Sequence, residues 1–133
     1  VIVVDASALI AFILRENGWE KLADFMSMTM SVDYLVKEFY NAVWKAVRVR
    51  GVLSVDEGRK AIELFKQYRE KNMVLEPEDK YLDAALEIAL NHGLTIYDSL
   101  YIALALNNRK PLLTLDARQG DVARRLGVEV IEL

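Results

Sequence analysis

Val1-Ile-Val-Val-Asp5-Ala-Ser7 and, near the other end of the chain, Pro111-Leu-Leu-Thr-Leu-Asp116 read alike: a short apolar run that ends abruptly in an acid. Runs of this length, rich in Val and Leu and without polar alternation, are the signature of strands buried on both faces. Between them, helical patterns alternate with two further β-compatible runs, Met28 to Val32 and Met73 to Leu75, and a fifth follows at Val128 to Ile131. Strands alternating with helices call for a parallel sheet covered on both faces. The expected fold is a three-layer α/β/α sandwich on a five-stranded parallel sheet, formed by residues 1–133 as one domain. In such sheets ligands bind beyond the carboxyl ends of the strands, where Asp5 and Asp116 fall.

The helices are bounded by recognisable signals. Ser7 to Leu14 forms the first, and Trp19 to Met28 the second after a turn at Asn17-Gly18. Asp33 is the expected cap of a long helix reaching Arg50, which Gly51 stops. Ser54-Val-Asp-Glu57 is a capping box opening a helix to Lys71. Pro77 suits the first turn of a helix ending at His92-Gly93, Thr95 opens the next as far as Asn108, and Asp121 is the expected cap of a short one to Leu126.

Composition narrows the class. With 53% hydrophobic and 28% charged residues the chain is globular rather than disordered. Cysteine is absent, which removes disulfides, zinc knuckles and thiol nucleophiles and fits a reducing cytoplasm. The first fourteen residues are apolar, but Asp5 interrupts them and no basic stretch precedes them, so a secretory signal is not expected; no run approaches membrane-spanning length. The opening Val1, in place of Met, predicts a processed or trimmed start. A net charge of −3 argues against a strongly basic nucleic-acid binder, yet setting four acids aside as metal ligands leaves +1.

Those four are Asp5, Glu38, Asp98 and Asp116. Each has a local explanation: Asp5 and Asp116 as helix caps, Asp98 as the acid of a capping box with Thr95, Glu38 as part of a solvated stripe with Asn41, Lys45 and Arg48. Together they ask for more. Strands in a sheet lie about 4.8 Å apart, and bare carboxylates at about that range repel by roughly 4 kcal/mol at an effective dielectric near 20. Either a proton or a cation must relieve this. All-oxygen ligands without thiols select Mg²⁺ or Mn²⁺ over Zn²⁺. Such ions can supply a nucleophilic water and stabilise a leaving oxygen in phosphodiester hydrolysis without a protein base.

Four motifs in order, Val-Val-Asp5-Ala-Ser7, Glu38-Phe-Tyr-Asn41-Ala42, Thr95-Ile-Tyr-Asp98-Ser-Leu-Tyr-Ile-Ala-Leu-Ala105 and Pro111-Leu-Leu-Thr-Leu-Asp116-Ala-Arg118, span the chain. Their conjunction resembles the PIN-domain nucleases and, within them, the VapC-type toxin ribonucleases. The resemblance implies the sandwich fold above, Mg²⁺- or Mn²⁺-dependent cleavage of single-stranded or looped RNA leaving a 5′-phosphate and a 3′-hydroxyl, a homodimer, and a cognate antitoxin protein as partner. Asp5 and Asp116 then take the main metal position, with Asp98 and Glu38 completing it or holding a second ion. Ser7, Asn41 and Thr114 are the expected orienting residues. Lys45, Arg48 and Arg118 are candidates to clamp the RNA backbone, together with Lys37, Arg50 and Arg15. The alternative is a PIN-like RNA- or protein-binding module that no longer cleaves; loss of an acid would mark it, and all four are present. A receiver domain would need adjacent acids after the first strand, and a haloacid-dehalogenase-type phosphatase Asp-x-Asp, where this chain has Asp5-Ala-Ser7. No glycine spacing fits a phosphate-binding loop. Among the surplus aromatics, Tyr40 and Trp44 are candidates to line a groove for a partner helix.

Overall fold

Strand β1 (Ile2–Val4) lies in the interior of the sheet because both of its faces are fully covered: the side chains of Val3 and Val4 point to opposite sides, and both are 0% exposed. The computed structural model describes all 133 residues. Four parallel strands form one sheet in the order β3-β2-β1-β4, where β2 is Thr29–Val32, β3 is Met73–Glu76 and β4 is Leu112–Leu113. The expected fifth strand at Val128 to Ile131 is reduced to one parallel bridge, Val130 to Leu112. The reason lies in β4. The chain turns away after Leu113 to begin a helix, so only Leu112 offers a free edge, taken by Leu112 N–H to Glu129 C=O and Ile131 N–H to Leu112 C=O.

Seven α-helices flank the sheet: α1 (Ala6–Ile13), α2 (Trp19–Ala23), α3 (Tyr34–Trp44), α4 (Val55–Asn72), α5 (Leu82–His92), α6 (Ile96–Asn108) and α7 (Ala117–Arg125). Helices α1 to α4 pack on one another, with Phe39 of α3 against Phe65 of α4 at 4.5 Å between ring centres, while α6 packs on α5, α7 and the strands. Helix α6 is buried on every side from Ser99 to Ala105, which explains its nearly unbroken apolar sequence. No helix is long and apolar enough to cross a membrane.

Several helix ends differ from expectation. Helix α2 stops at Ala23, and the following residues continue only as turns. The long helix is α-helical to Trp44 and widens to a π-helical turn over Lys45–Val49. Pro77 leads a 3₁₀ turn, Glu78–Lys80, before α5. Asp33 makes no cap to α3; its carboxylate accepts the Glu78 N–H at 3.0 Å instead, tying two strand-to-helix corners together. Asp121 is not a cap either, because Asp116 already starts α7 five residues earlier, and Asp121 pairs with Arg124 on the surface. The Ser54–Glu57 capping box forms in full. Tyr40 and Trp44 stand 42% and 55% exposed, outside the core as expected of surplus aromatics.

Candidate active site

The strand register decides which side chain faces Asp5. Val4 of β1 is paired with Leu113 of β4, so the next residues, Asp5 and Thr114, lie opposite each other beyond the strand ends. The two expected acids therefore do not confront each other directly. Thr114 stands between them: its hydroxyl donates to Asp5 Oδ2 at 2.5 Å and accepts the Asp116 N–H at 3.0 Å. Asp5 also caps α1, taking the Ala8 N–H at 3.0 Å and the Ser7 hydroxyl at 2.7 Å on Oδ1. Ser7 in turn accepts the Leu115 N–H at 2.9 Å, knitting the two strand ends together.

Three donors on one carboxylate favour its charged form, but Asp5 is only 3% exposed. Burial dominates and pushes Asp5 up to about 6, with the charge of Asp98 adding to the rise. Glu38, half-buried on α3, is raised by burial and by Asp5 and Asp98, against the pull of one strong bond, the Tyr101 hydroxyl donating to Oε1 at 2.6 Å. Asp98, in the first turn of α6, is raised by burial and then by Asp116, while Arg118 acts the other way. Asp116 caps α7 through the Gln119 N–H at 3.0 Å. Three of the acids are thus linked electrostatically: Asp98 raises Asp5, Asp5 and Asp98 raise Glu38, and the charge of Asp116 raises Asp98.

They do not converge into a set of three that could hold a metal ion as the side chains stand. Protein donors account for this, since Ser7, Thr114, Tyr101 and the Gln119 N–H each hold a carboxylate in its own direction. The donor chemistry nonetheless suits a hard divalent cation. The acids offer oxygen alone, and a positive charge would relieve the unfavourable burial of Asp5.

Asn41 and Lys45 line an open cleft of about 420 Å³ with Ile10, Tyr34, Lys37 and Glu38. The hydrogen bond to Glu38 comes from Tyr101. Arg118 donates to the Gly93 carbonyl at 2.8 Å, beside Asp98. Arg48 sits exposed on the π-helical turn with no ion pair to any acid. Two participants had no role assigned from sequence. Tyr101 is a buried hydroxyl within the largely apolar run Leu100 to Ala105 of α6, which was the available signal. Gln119 is buried; its Nε2 donates to the Asp98 carbonyl at 3.1 Å and its Oε1 lies 3.3 Å from the Thr114 hydroxyl, whose proton goes to Asp5. Its position three residues after the Asp116 cap is the one a capping box assigns to Glu or Gln.

A parallel sheet with acids beyond its carboxyl edge is shared by several metal-dependent families, and sequence similarity decides among them. The family model described as PIN domain matches residues 2–125, and the chain belongs to that family. Within it the chain is similar to VapC proteins. Ribonuclease VapC3 of Pyrobaculum aerophilum is 35% identical over 123 residues, spanning 90% of this chain and 92% of that protein. Exonuclease VapC9 of the same organism is 32% identical over 113 residues, spanning 85% and 78%. Among solved structures, PAE2754 from Pyrobaculum aerophilum superposes with a TM-score of 0.70 at 24% identity, covering 91% of this chain and 83% of that one. FitAcB from Neisseria gonorrhoeae gives 0.66 at 16% identity, covering 99% and 97%. At those identities the structural likeness speaks to the fold.

Proposed function

We propose that this chain is a divalent-metal-dependent endoribonuclease of VapC type, the toxin of a toxin–antitoxin pair, acting in the cytoplasm as a single-domain homodimer restrained by a cognate antitoxin protein. Membership of the PIN-domain family and similarity to a ribonuclease and an exonuclease over most of the chain support the nuclease reading. The observation that carries the site is Asp5. As a helix cap alone, Asn or Ser would serve as well at less cost in burial; a carboxylate 3% exposed, with a second raised acid beside it, is poorly explained by capping.

Asp5, Glu38, Asp98 and Asp116 would hold Mg²⁺ or Mn²⁺, which when bound supplies charge neutralisation at the phosphodiester and an activated water. The chain's own contributions are positional. Ser7 and Thr114 fix both oxygens of Asp5, Tyr101 fixes Glu38, and Gln119 anchors the start of α6 to α7 so that Asp98 and Asp116 keep their relation. Lys45 beside Glu38 and Arg118 beside Asp98 would meet the phosphate backbone.

The test is cleavage of a panel of single-stranded and folded RNAs with Mn²⁺ or Mg²⁺, with EDTA and Asp98→Asn in parallel. Metal-dependent cutting lost in the variant is expected. If pure, folded, metal-loaded protein binds these RNAs without cutting any, the reading gives way to a non-cleaving PIN-like binding module.

A further inference from the structure

Helix α3 packs with α1 and α4, and α6 with α5 and α7, yet side chains of α3 and α6 meet in two rungs one helical turn apart. The inner rung is Glu38 with Tyr101, hydrogen-bonded. The outer rung is Tyr34 with Tyr97, whose rings stack at 4.8 Å between centres and 19° between planes. In each rung the residue lies four positions from its counterpart in the other, so all four occupy matching faces of the two helices. Tyr34 backs one face of the Tyr97 ring, while Tyr97 remains 52% exposed, immediately before Asp98. Tyr34 also lines the cleft that holds Glu38, Lys37 and Lys45.

We infer that this stacked pair is the platform on which an unpaired RNA base adjoining the cut phosphodiester stacks, a role that rests on the nuclease reading above. The chemistry on both sides of the acids suits that ligand. A backed, half-open ring presents a flat aromatic surface already held in place, so little side-chain freedom is lost when a base settles on it. Lys37 and Lys45 supply positive charge for the phosphates on the adjoining cleft wall. A base locked in a duplex has its faces occupied by its neighbours and cannot use such a surface, so the pair would favour unpaired stretches.

The experiment is anisotropy titration of a fluorescein-labelled single-stranded RNA decamer, and of the same backbone with abasic nucleotides, against metal-free protein in EDTA. Wild type and the Tyr97→Leu, Tyr97→Phe and Tyr97→Trp variants are compared, with thermal melting to verify folding. Tyr97→Leu should weaken binding of the base-bearing RNA at least about five-fold and leave the abasic strand unaffected. Tyr97→Phe should retain affinity, and Tyr97→Trp should tighten it. Equal affinity of Tyr97→Leu and wild type overturns the inference, as does a loss that is the same for both RNAs, the mark of a clasp between helices. Should Tyr97→Leu fail to fold, equal affinity of the Phe and Trp variants for the base-bearing RNA overturns it. A wild-type protein that binds neither strand and cuts no RNA of the panel with Mn²⁺ removes the nuclease reading itself, whereas one that cleaves RNA but ignores Tyr97 removes only this inference.

Discussion

Replacing Asp5 by Asn should make the metal-free protein more stable while abolishing its activity. In the folded chain Asp5 moves from the ordinary 3.8 to about 6, chiefly through burial. At about 1.4 kcal/mol per pH unit this displacement corresponds to about 3 kcal/mol by which ionised Asp5 disfavours the folded state. The sign follows from proton binding. Between about 4 and 6 the folded chain holds the proton more tightly than the unfolded one, so stability is fully present below 3.8 and is lost as pH rises through about 6. Burial raises Glu38 and Asp98 too, so their effects run in the same direction. Asn caps a helix as well as Asp, and the Ser7 and Thr114 hydroxyls can rotate to suit it. Asp5→Asn should therefore gain up to about 3 kcal/mol at pH 8, a rise in Tm on the order of 10 °C, and nearly nothing at pH 4. Circular-dichroism melting in EDTA from pH 4 to 8 measures this. A variant no more stable than wild type at pH 8, or shifted equally at both ends of the range, would refute the claim that Asp5 is a carboxylate held at the expense of the fold.

Other expectations follow from single contacts. Tyr101→Phe removes the donor to Glu38 at 2.6 Å; a bond to a charged group is worth about 1.5–3 kcal/mol, so urea denaturation should show a loss of that order and cleavage should fall with it. Gly58 on α4 lies where a Cβ would come within 2.8 Å of Val47 Cγ2 and 3.3 Å of Val43 Cγ1. In Gly58→Ala, overpacking of about 1–3 kcal/mol should outweigh the gain of about 1 kcal/mol in helix propensity, and Val47→Ala in the same chain should restore the midpoint. Gln119→Leu deletes the bond to the Asp98 carbonyl and the polar contact with Thr114; cleavage should drop at least about ten-fold, since a modest misplacement of catalytic groups is costly, with far-ultraviolet circular dichroism unchanged. Mn²⁺ should raise the Tm of wild type, by about 2.7 kcal/mol in stability at a hundredfold excess over Kd, and fail to do so for Asp116→Asn.

The sequence by itself determined whatever is decided within a few residues or by the side-chain period. The apolar runs ending in Asp5 and Asp116, the Ser54–Glu57 box and the unbroken apolar stretch of α6 each specify a local conformation, because hydrogen bonds from a cap reach only two or three residues along the chain. The order of the four acid-bearing motifs was equally legible. Only the tertiary structure decided how those pieces meet. The Val4–Leu113 register sets Thr114, rather than Asp116, opposite Asp5. The early departure of the chain into α7 leaves the fifth strand as a single bridge at Val130. Tyr101 reaches Glu38, Gln119 reaches Asp98 and Tyr34 stacks on Tyr97 across elements far apart in sequence. No periodicity encodes such pairs. They follow from the side-chain directions that two helical layers impose where they close over the strand ends, and that closure is a property of the packed core as a whole.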